Sequence, residues 1–278
     1  MAALLYLVPT PIGNLSDISD RCRQTLAEAD FIAAEDTRVT RKLLNHLQLH
    51  KPLVSYHEHN KAAAGPEIIV RIAQGQTCAL VTDAGSPAIS DPGEDLVRLA
   101  AQAQIPVCAI PGPCAAITAL SISALPTGRF AFEGFLPAQK KQRQARLDQL
   151  RTEPRTMIFY EAPHRLLATL ELLLACFGPD RPISLCRELT KLHEEVLRFD
   201  LASALAYFQG NAPRGEFVLV VGGAPETLQN APDLATGVTL VRQLMASGLS
   251  RKEAARQAAA QTGLAKNQLY AASMEAAD

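Results

Sequence analysis

Short apolar runs alternate with amphipathic segments along the first 125 residues of the chain. The pattern predicts strands at 4–8, 31–36, 53–57, 78–82 and 106–110. It predicts helices at 17–29, 40–47, 61–75, 93–103 and 113–121. Ser16 or Asp17 is the expected N-cap of the first helix. Alternating β and α units of this kind indicate an α/β fold with a mainly parallel sheet covered on both faces.

The pattern changes around 122–132, where the chain has no clean periodicity and contains prolines. We interpret this stretch as the link into a second α/β domain. That domain has predicted helices at 140–151, 163–176 and 201–209, and predicted strands at 156–160, 183–189, 195–200 and 216–223. Several of these strands follow one another closely, which indicates a mixed sheet.

The C-terminal part is predicted to be a small helical unit. Residues 224–236 are polar and contain proline, as linkers do, and three short helices are expected after them. Ser250 and Glu253 have capping-box spacing, and Gly263 falls in the turn of a helix-turn-helix-like motif. Such a unit binds nucleic acid or, alternatively, serves as a packing domain or dimerisation arm. The expected domains are therefore 1–124, 125–225 and 236–278.

Size and composition fit this organisation. A chain of 278 residues suits two domains and a small third one, and 48% hydrophobic with 20% charged residues is ordinary for a soluble protein. No apolar stretch is long enough to predict a membrane span, and the N-terminal apolar run predicts a strand rather than a signal peptide. The six cysteines form no CxxC pair, which favours free thiols in a reducing cytoplasm.

Metal binding and bulk nucleic-acid coating are not expected. No His/Cys cluster has zinc spacing, and His57 and His59 would point to alternating faces of an extended segment. The net charge of −1 argues against a protein that coats naked nucleic acid by charge alone. A local basic segment nevertheless occupies residues 137–155.

Small residues and prolines follow three of the predicted strands. The segments are PTPIGNL (9–15), TDAGSPAISDPG (82–93) and PGPCAAITAL (111–120). Ligands of open α/β sheets bind beyond the carboxyl ends of the strands, and glycine lets the backbone approach them closely. We therefore expect one cleft that is built from all three loops. Neither GxGxxG nor GxxxxGK[ST] occurs, so the ligand is expected to lack a pyrophosphate.

Two charged clusters are candidates for chemistry. AEDTR (34–38) places Glu35, Asp36 and Arg38 at a strand end, where they either face the cleft or form a surface ion pair and a helix cap. CRELTKLHEE (186–195) is the densest polar cluster. A Glu beside a Lys can have a lowered pKa and position a proton acceptor, although charged surface turns have the same composition.

These segments together resemble one family. The ordered set LVPTPIGNL, AEDTR, SYHEHN, DAGSPAISDPG, PGPCAAITAL, FEGFLP, YEAPHR, CRELTKLHEE and GEFVLVV is similar to the ribosomal RNA small subunit methyltransferase I family. That family belongs to the tetrapyrrole-methylase-like (class III) methyltransferases. The resemblance covers residues 4–223, and the tail at 236–278 looks like the small C-terminal domain of the same family. Single segments are weak signals, whereas the ordered set is very specific.

The resemblance implies a fold, a cofactor and a reaction. It implies two α/β domains with S-adenosyl-L-methionine between them, and methyl transfer to a cytidine ribose 2′-hydroxyl in the decoding region of 16S ribosomal RNA in the small ribosomal subunit. It also implies a homodimer, and the free thiols expected above indicate a cytoplasmic location. The implied cofactor contacts are Pro11, Ile12, Asp83, Gly85, Ser86, Cys114, Ala115, Ala116, Tyr160, Cys186 and Phe217. Cys114 and Ala115 stand where relatives with other substrates often carry Ser or Thr.

Methyl transfer to oxygen needs alignment of the reactants and help in removing a proton. Our hypothesis is that Glu188 or Asp36 accepts or orients that proton, while Lys191 or Arg38 stabilises developing negative charge. The expected RNA-binding residues are Lys140, Lys141, Arg143, Arg251, Lys252 and Lys266.

Two other functions are weighed against this one. The first is a class III methylase that acts on a tetrapyrrole or on a modified translation factor. The second is a non-enzymatic RNA-binding or assembly factor, which would have no use for the small-residue loops of the cleft.

Overall fold

The computed structural model of the chain describes residues 3–225, 234–262 and 264–275. The chain divides into two compact units. The larger unit comprises residues 1–148 and 155–222, and the smaller one comprises 149–154 and 223–278. Within the described ranges, no helix combines the length and the apolarity that crossing a bilayer requires.

A five-stranded parallel sheet forms the first lobe of the larger unit. Its strands are β1 (Leu5–Leu7), β2 (Phe31–Ala34), β3 (Leu53–Ser55), β4 (Cys78–Val81) and β5 (Val107–Ala109), in the spatial order β3-β2-β4-β1-β5. The helices between them are α1 (Asp20–Glu28), α2 (Thr37–His46), α3 (Lys61–Ala73) and α4 (Glu94–Gln102). The predicted parallel sheet is thereby confirmed.

Both faces of the inner strands β2 and β4 are buried, which explains their continuous apolar runs. Phe31 and Ala33 pack into a core with residues of α3 and α4, whereas Ile32 and Ala34 pack into a second core with residues of α1 and α2. Successive residues of a strand point to opposite faces, so a strand with helices on both sides is apolar at every position.

The predicted cap of the first helix is wrong. Helix α1 begins at Asp20, and its N-cap is Ser19, whose side chain accepts a hydrogen bond from the Cys22 amide at 3.1 Å. Ser16 and Asp17 belong instead to a separate 3₁₀ turn, Leu15–Asp17. The polar residues of this turn lie so close in sequence to the N-cap of α1 that the hydrophobic pattern alone does not separate the turn from the helix.

A mixed five-stranded sheet forms the second lobe. Its strands are β6 (Phe130–Phe135), β7 (Thr156–Glu161), β8 (Pro182–Arg187), β9 (Glu195–Asp200) and β10 (Phe217–Val221), in the spatial order β6-β7-β10-β8-β9. Only the pairing of β6 with β7 is parallel. The helices here are α5 (Ala115–Ile122), α6 (Lys140–Leu150), α7 (Pro163–Phe177) and α8 (Leu201–Gly210). The predicted mixed sheet is confirmed.

Helix α5 connects the two lobes. It follows the last strand of the first sheet in sequence, yet its buried face packs on the second sheet. Ala116 and Leu120 share one core cluster with Ile158 of β7 and Val218 of β10. The third small-residue loop, which precedes α5, is therefore held close to the second sheet.

Strand β6 overlaps residues 122–132, which we interpret from the sequence as a link between domains. That interpretation is wrong for residues 130–132, because they belong to the strand. The register between β6 and β7 shifts between Phe132 and Gly134, which marks a β-bulge. The bulge leaves Ala131 and Gly134 buried while Phe130 and Phe135 are exposed. A bulge breaks the alternation of buried and exposed positions, so the strand has no period-two pattern to detect.

Among its described residues, the C-terminal part of the chain contains the three helices that the sequence predicts. They are α9 (Leu234–Ala246), α10 (Arg251–Thr262) and α11 (Lys266–Glu275), around a core that includes Val241 and Leu269. The capping box is confirmed, because the Ser250 hydroxyl donates to the Glu253 carboxylate at 2.6 Å and accepts from the Glu253 amide at 3.4 Å.

The predicted linker at 224–236 is too long at its C-terminal end, because α9 begins at Leu234. Residues 226–233 and Gly263 lie outside the described residues. The domain boundaries at 1–124, 125–225 and 236–278 stay predictions.

Candidate active site

Hydrogen bonds tie the three small-residue loops to one another. Thr10 of the first loop and Gly85 of the second exchange two backbone hydrogen bonds, of 2.9 and 3.0 Å. The Thr10 hydroxyl donates to the carbonyl of Thr82 at 3.1 Å, and the Ser86 hydroxyl donates to the carbonyl of Pro113 in the third loop at 3.0 Å. The loops therefore form one structure beyond the carboxyl ends of β1, β4 and β5, as the sequence predicts.

Gly85 is required where the loops meet. Its φ of +85° lies in the left-handed region that side chains disfavour. A Cβ atom there would lie 3.4 Å from Ile12 Cγ2 and 3.7 Å from the Pro113 carbonyl oxygen. Glycine thus lets the second loop turn while it stays in contact with the other two.

A cavity of about 510 Å³ opens between these loops and strands β7, β8 and β10 of the second lobe. It is lined by eight of the eleven predicted cofactor contacts, namely Ile12, Gly85, Ser86, Cys114, Ala115, Tyr160, Cys186 and Phe217. Pro11, Asp83 and Ala116 are not among the residues that line it. The structure therefore brings most of the predicted set together, while their role in binding stays a prediction.

Tyr160 joins the second lobe to the start of α5. Its hydroxyl oxygen accepts a hydrogen bond from the Ala116 amide at 3.2 Å, and its ring meets Phe132 and Phe135 edge-on, with centroids 5.2 and 5.6 Å away. Burial raises the pKa of Tyr160 to about 12. The hydroxyl is therefore protonated at neutral pH and keeps a hydrogen to donate.

Lys191 and Glu216 line the cavity, and Glu188 contacts both of them without lining it. Lys191 Nζ is 2.9 Å from Glu188 Oε1 and 2.8 Å from Glu216 Oε2. Glu188 Oε1 also accepts from the Glu216 amide at 2.9 Å. The hydrogen bond from Lys191 lowers the pKa of Glu188. Burial opposes the charge of Lys191, but hydrogen bonds to Glu216 and Glu188 raise its pKa.

Asp36 and Arg38 lie beside the loops but do not line the cavity. Asp36 is the N-cap of α2, and its carboxylate forms an ion pair with Arg38 at 2.6 Å. The Arg38 side chain is 87% exposed. Its hydrogen bond holds the pKa of the Asp36 carboxyl well below the ordinary value. The structure thus contains the ion pair and helix cap of the alternative interpretation, and the catalytic roles of both residues stay predictions.

Asp91 is a cavity-lining residue that the sequence reasoning missed. Burial, together with the negative charge of Glu35, raises its pKa to about 6. Positive φ angles at Ala88 (67°) and Ser90 (61°) bend the second loop just before Asp91. No sequence rule predicts positive φ at Ala or Ser, so the direction of this carboxylate could not be foreseen.

The charged lining of the cavity is mainly acidic. Asp91, Glu161 and Glu216 line it together with Lys191 and His164. Glu161 is buried and also accepts hydrogen bonds from the Ala162 amide at 2.9 Å and from the Thr169 hydroxyl at 2.6 Å. Such a lining suits a ligand that carries positive charge and no phosphate. In the part of the chain that the structure describes, no group of three or more His, Cys, Asp or Glu side chains could hold a metal ion.

The predicted RNA-binding residues cluster at helix starts. Lys140 and Lys141 are the first two residues of α6, Arg251 and Lys252 are the first two of α10, and Lys266 is the first of α11. Arg143 follows one turn into α6. Lys140, Lys141, Lys252 and Lys266 are exposed.

Two family models match the chain. The tetrapyrrole (corrin/porphyrin) methylases match residues 4–205, and a family described as the RsmI C-terminal HTH domain matches residues 231–277. The first match covers strands β1 to β9, and the second covers the three C-terminal helices.

Curated relatives match over nearly the whole chain. Proteins named ribosomal RNA small subunit methyltransferase I from Synechocystis sp. and Halalkalibacterium halodurans are both 49% identical, over 98% and 96% of this chain and 98% and 93% of their own length. The protein of that name from Escherichia coli O157:H7 is 44% identical over 98% of this chain and 94% of its own.

Solved structures share the fold. The methyltransferase CobJ superposes with a TM-score of 0.60 at 19% identity, over 80% of this chain and 95% of its own. A uroporphyrin-III C-methyltransferase from Thermus thermophilus, complexed with S-adenyl homocysteine, superposes with a TM-score of 0.55 at 17% identity, over 79% and 97%. The chain therefore belongs to the tetrapyrrole methylase family and, within it, to the ribosomal RNA small subunit methyltransferase I group.

Proposed function

We propose that this chain transfers a methyl group from S-adenosyl-L-methionine to the 2′-hydroxyl of a cytidine ribose in the decoding region of 16S ribosomal RNA. The observation that carries the proposal is full-length similarity, at 42–49% identity, to proteins that share one ribosomal RNA methyltransferase name. The cavity between the two lobes is where we place the reaction.

The residues of the cavity fit the cofactor. A volume of about 510 Å³ lies within the range of roughly 300–1,000 Å³ that small-molecule sites have. Ile12, Phe135 and Val218 offer apolar surface for an adenosine group, and small residues such as Gly85 and Ala115 leave the loop backbone accessible. The acidic lining suits the positive charge of a sulfonium. When bound, the cofactor supplies an activated methyl group that a nucleophile can attack directly.

This chain's own residues would then align the reactants and manage charge. Displacement at a methyl carbon needs the attacking oxygen held in line, and positioning of this kind can lower a barrier by roughly 7–11 kcal/mol. Tyr160 offers a protonated hydroxyl on one wall, and Lys191 offers an ammonium on another. In our proposal Lys191 stabilises negative charge on the ribose or its phosphates, and Glu188 holds Lys191 in place. Arg38, held by Asp36, is the second candidate cation.

RNA contact is assigned to the basic helix starts. A cation in the first turn opposes the positive end of the helix dipole, so these residues do not serve helix stability. An anionic partner supplies a reason for them, because phosphates bind both the helix N-terminus and the Lys or Arg side chain. Recognition of a folded ribosomal particle by shape and by 2′-hydroxyls is compatible with a net charge of −1.

The alternative substrates are less well supported. Solved methyltransferases of tetrapyrroles share the fold at below 25% identity, which speaks for the fold alone. We also propose a homodimer in the cytoplasm, where ribosomes are found. Light scattering tests the dimer, since the monomer mass is 29.9 kDa.

The function is tested with the purified protein, S-adenosylmethionine labelled in the methyl group, and small ribosomal subunits from cells that lack the gene. Label should appear on one cytidine ribose of 16S RNA, located by nuclease digestion and mass spectrometry. A parallel reaction with uroporphyrinogen should remain unlabelled. Label in the porphyrin, or label on a base, would contradict the proposal.

A further inference from the structure

The carboxylates at the cleft differ in which cations and hydrogen-bond donors contact them. Asp36 is paired with Arg38, and Glu188 is bound by Lys191 and by a backbone amide. Glu216 shares the same lysine. Glu161 accepts from a hydroxyl and an amide, and Arg165 lies 3.4 Å away. Each of these groups already contacts a cation or a hydrogen-bond donor, and the pKa values of Asp36 and Glu188 are lowered by those contacts.

Asp91 is different. Among the described residues, no Lys or Arg forms an ion pair with it, and the charges that act on it are those of Glu35 and Asp83, both negative. A hydrogen bond from Thr82 would favour the ionised form of Asp91. The Thr82 hydroxyl has a single hydrogen, however, and donates it to Glu35 Oε2 at 2.7 Å. Tyr160 also lines the cavity, and its pKa is raised mainly by burial and in smaller part by the negative charge of Asp91.

We propose, on the basis of the proposed function above, that Asp91 is the general base that takes the proton from the ribose 2′-hydroxyl during methyl transfer. The hydroxyl oxygen forms a bond to the methyl carbon while the carbon–sulfur bond breaks and its electron pair returns to sulfur. The hydroxyl proton moves to a carboxylate oxygen of Asp91. The products are the 2′-methoxy ribose, S-adenosylhomocysteine and a protonated Asp91, which then loses its proton to water.

The position of Asp91 fits this task. It lies on the cavity wall, on the same loop as Ser86 and Gly85 and in the same lining as Lys191. A base works best when its pKa lies just below the working pH, because it is then ionised yet still basic. A pKa of about 6 satisfies both requirements at neutral pH, whereas the lowered pKa values of Asp36 and Glu188 do not.

The first test compares Asp91→Asn with the wild-type full-length protein under single-turnover conditions, on small ribosomal subunits. The rate should fall by about 10²–10⁴-fold, the range that loss of a general base produces. Affinities for S-adenosylmethionine and for S-adenosylhomocysteine, measured by calorimetry, should stay within about threefold. Asp180→Asn, an exposed aspartate in the turn after α7, is the matched control and should keep the wild-type rate.

The pH profile separates a base from a structural residue. In the wild type, kcat/KM, which reports the pKa values of the free enzyme, should rise with pH through an apparent pKa of about 6 and then level off. The residual rate of Asp91→Asn should lack this rise, and Asp91→Glu should restore it in part. The wild-type profile can be measured without any variant, so it tests the proposal even where Asp91→Asn or Asp91→Glu folds poorly.

Three results would overturn the assignment. The first is a wild-type rate that is flat between about pH 5 and pH 8. The second is an unchanged rate in Asp91→Asn. The third is a selective loss of affinity for S-adenosylmethionine but not for S-adenosylhomocysteine, which would make Asp91 a partner of the sulfonium. If the wild type labels no ribosomal RNA at all, the proposed function itself fails. RNA labelling by the wild type together with an unchanged rate in Asp91→Asn overturns only the assignment of Asp91.

Discussion

At the scale of single residues, Asp91 is placed where it costs stability. A carboxylate that is partly buried without a cation is less stable in the folded chain than in water. Asp36 is the opposite case, since its ion pair with Arg38 and its cap of α2 favour the charged form. Residues that break the local rules of stability tend to serve function, and this contrast makes Asp91 rather than Asp36 the candidate base.

The effect of Asp91 on the free energy of unfolding depends on pH in a predictable way. Its folded pKa of about 6 lies above the ordinary 3.8. Protonation therefore stabilises the folded state, and this stabilisation, complete below pH 3.8, is lost as the pH rises through 6. Relative to the wild type, Asp91→Asn should gain about 1 kcal/mol in the free energy of unfolding between roughly pH 5 and pH 8, measured by urea denaturation.

Asp36→Asn is the control for that measurement. The folded pKa of Asp36 is lowered, so its contribution to stability is present above the ordinary pKa and is lost only in more acid solution. Its stability difference from the wild type should therefore stay constant over the same pH range. A change of equal size in both variants would show that the pH effect does not come from Asp91.

At the scale of elements, the sequence predicts what continuous patterns specify. Strands β2 and β4 are buried on both faces, and β1, β4 and β5 run into segments with Gly and Pro, so these strands and the loops after them could be located in advance. Strand β6 could not, because its bulge removes the alternation. Asp91 could not either, because the loop before it bends through positive φ angles at Ala88 and Ser90, and neither residue type predicts such angles.

Substitution of Gly13 tests how closely the first small-residue loop must approach the loop that carries Lys191. A Cβ atom on Gly13 would lie 2.5 Å from Lys191 Cγ and 2.9 Å from the backbone oxygen of Leu189. Gly13→Ala should therefore displace the loop that carries Lys191. We expect a loss of about 1–3 kcal/mol in the free energy of unfolding, as overpacking typically costs, and weaker binding of S-adenosylhomocysteine in calorimetry.

Gly128→Ala is the matched variant, since Gly128 has no heavy atom within 4 Å of the added Cβ position. It should leave both stability and binding near wild-type values. If Gly13→Ala behaves like Gly128→Ala, then the contact between the first loop and Lys191 has no role in shaping the cavity.

At the scale of the whole molecule, basic and acidic residues nearly balance. The chain has 27 basic and 28 acidic residues, so a general attraction to RNA is absent. In our proposal, the local cations at the starts of α6, α10 and α11 provide the phosphate contacts outside the cavity. Binding that rests on a few such contacts depends on salt in proportion to their number.

The salt dependence of binding counts these contacts. Each phosphate neutralised contributes roughly 0.7–0.9 to the slope of log affinity against log salt. The double variant Lys252→Ala and Lys266→Ala should therefore lower the slope for small ribosomal subunits by about 1.5, measured by filter binding over roughly 50–300 mM salt, without changing cofactor affinity. Lys42→Ala, on the exposed face of α2, should leave the slope unchanged. An unchanged slope in the double variant would remove the C-terminal helices from the RNA contact, and an equal drop in Lys42→Ala would mean that the effect follows net charge rather than these two positions.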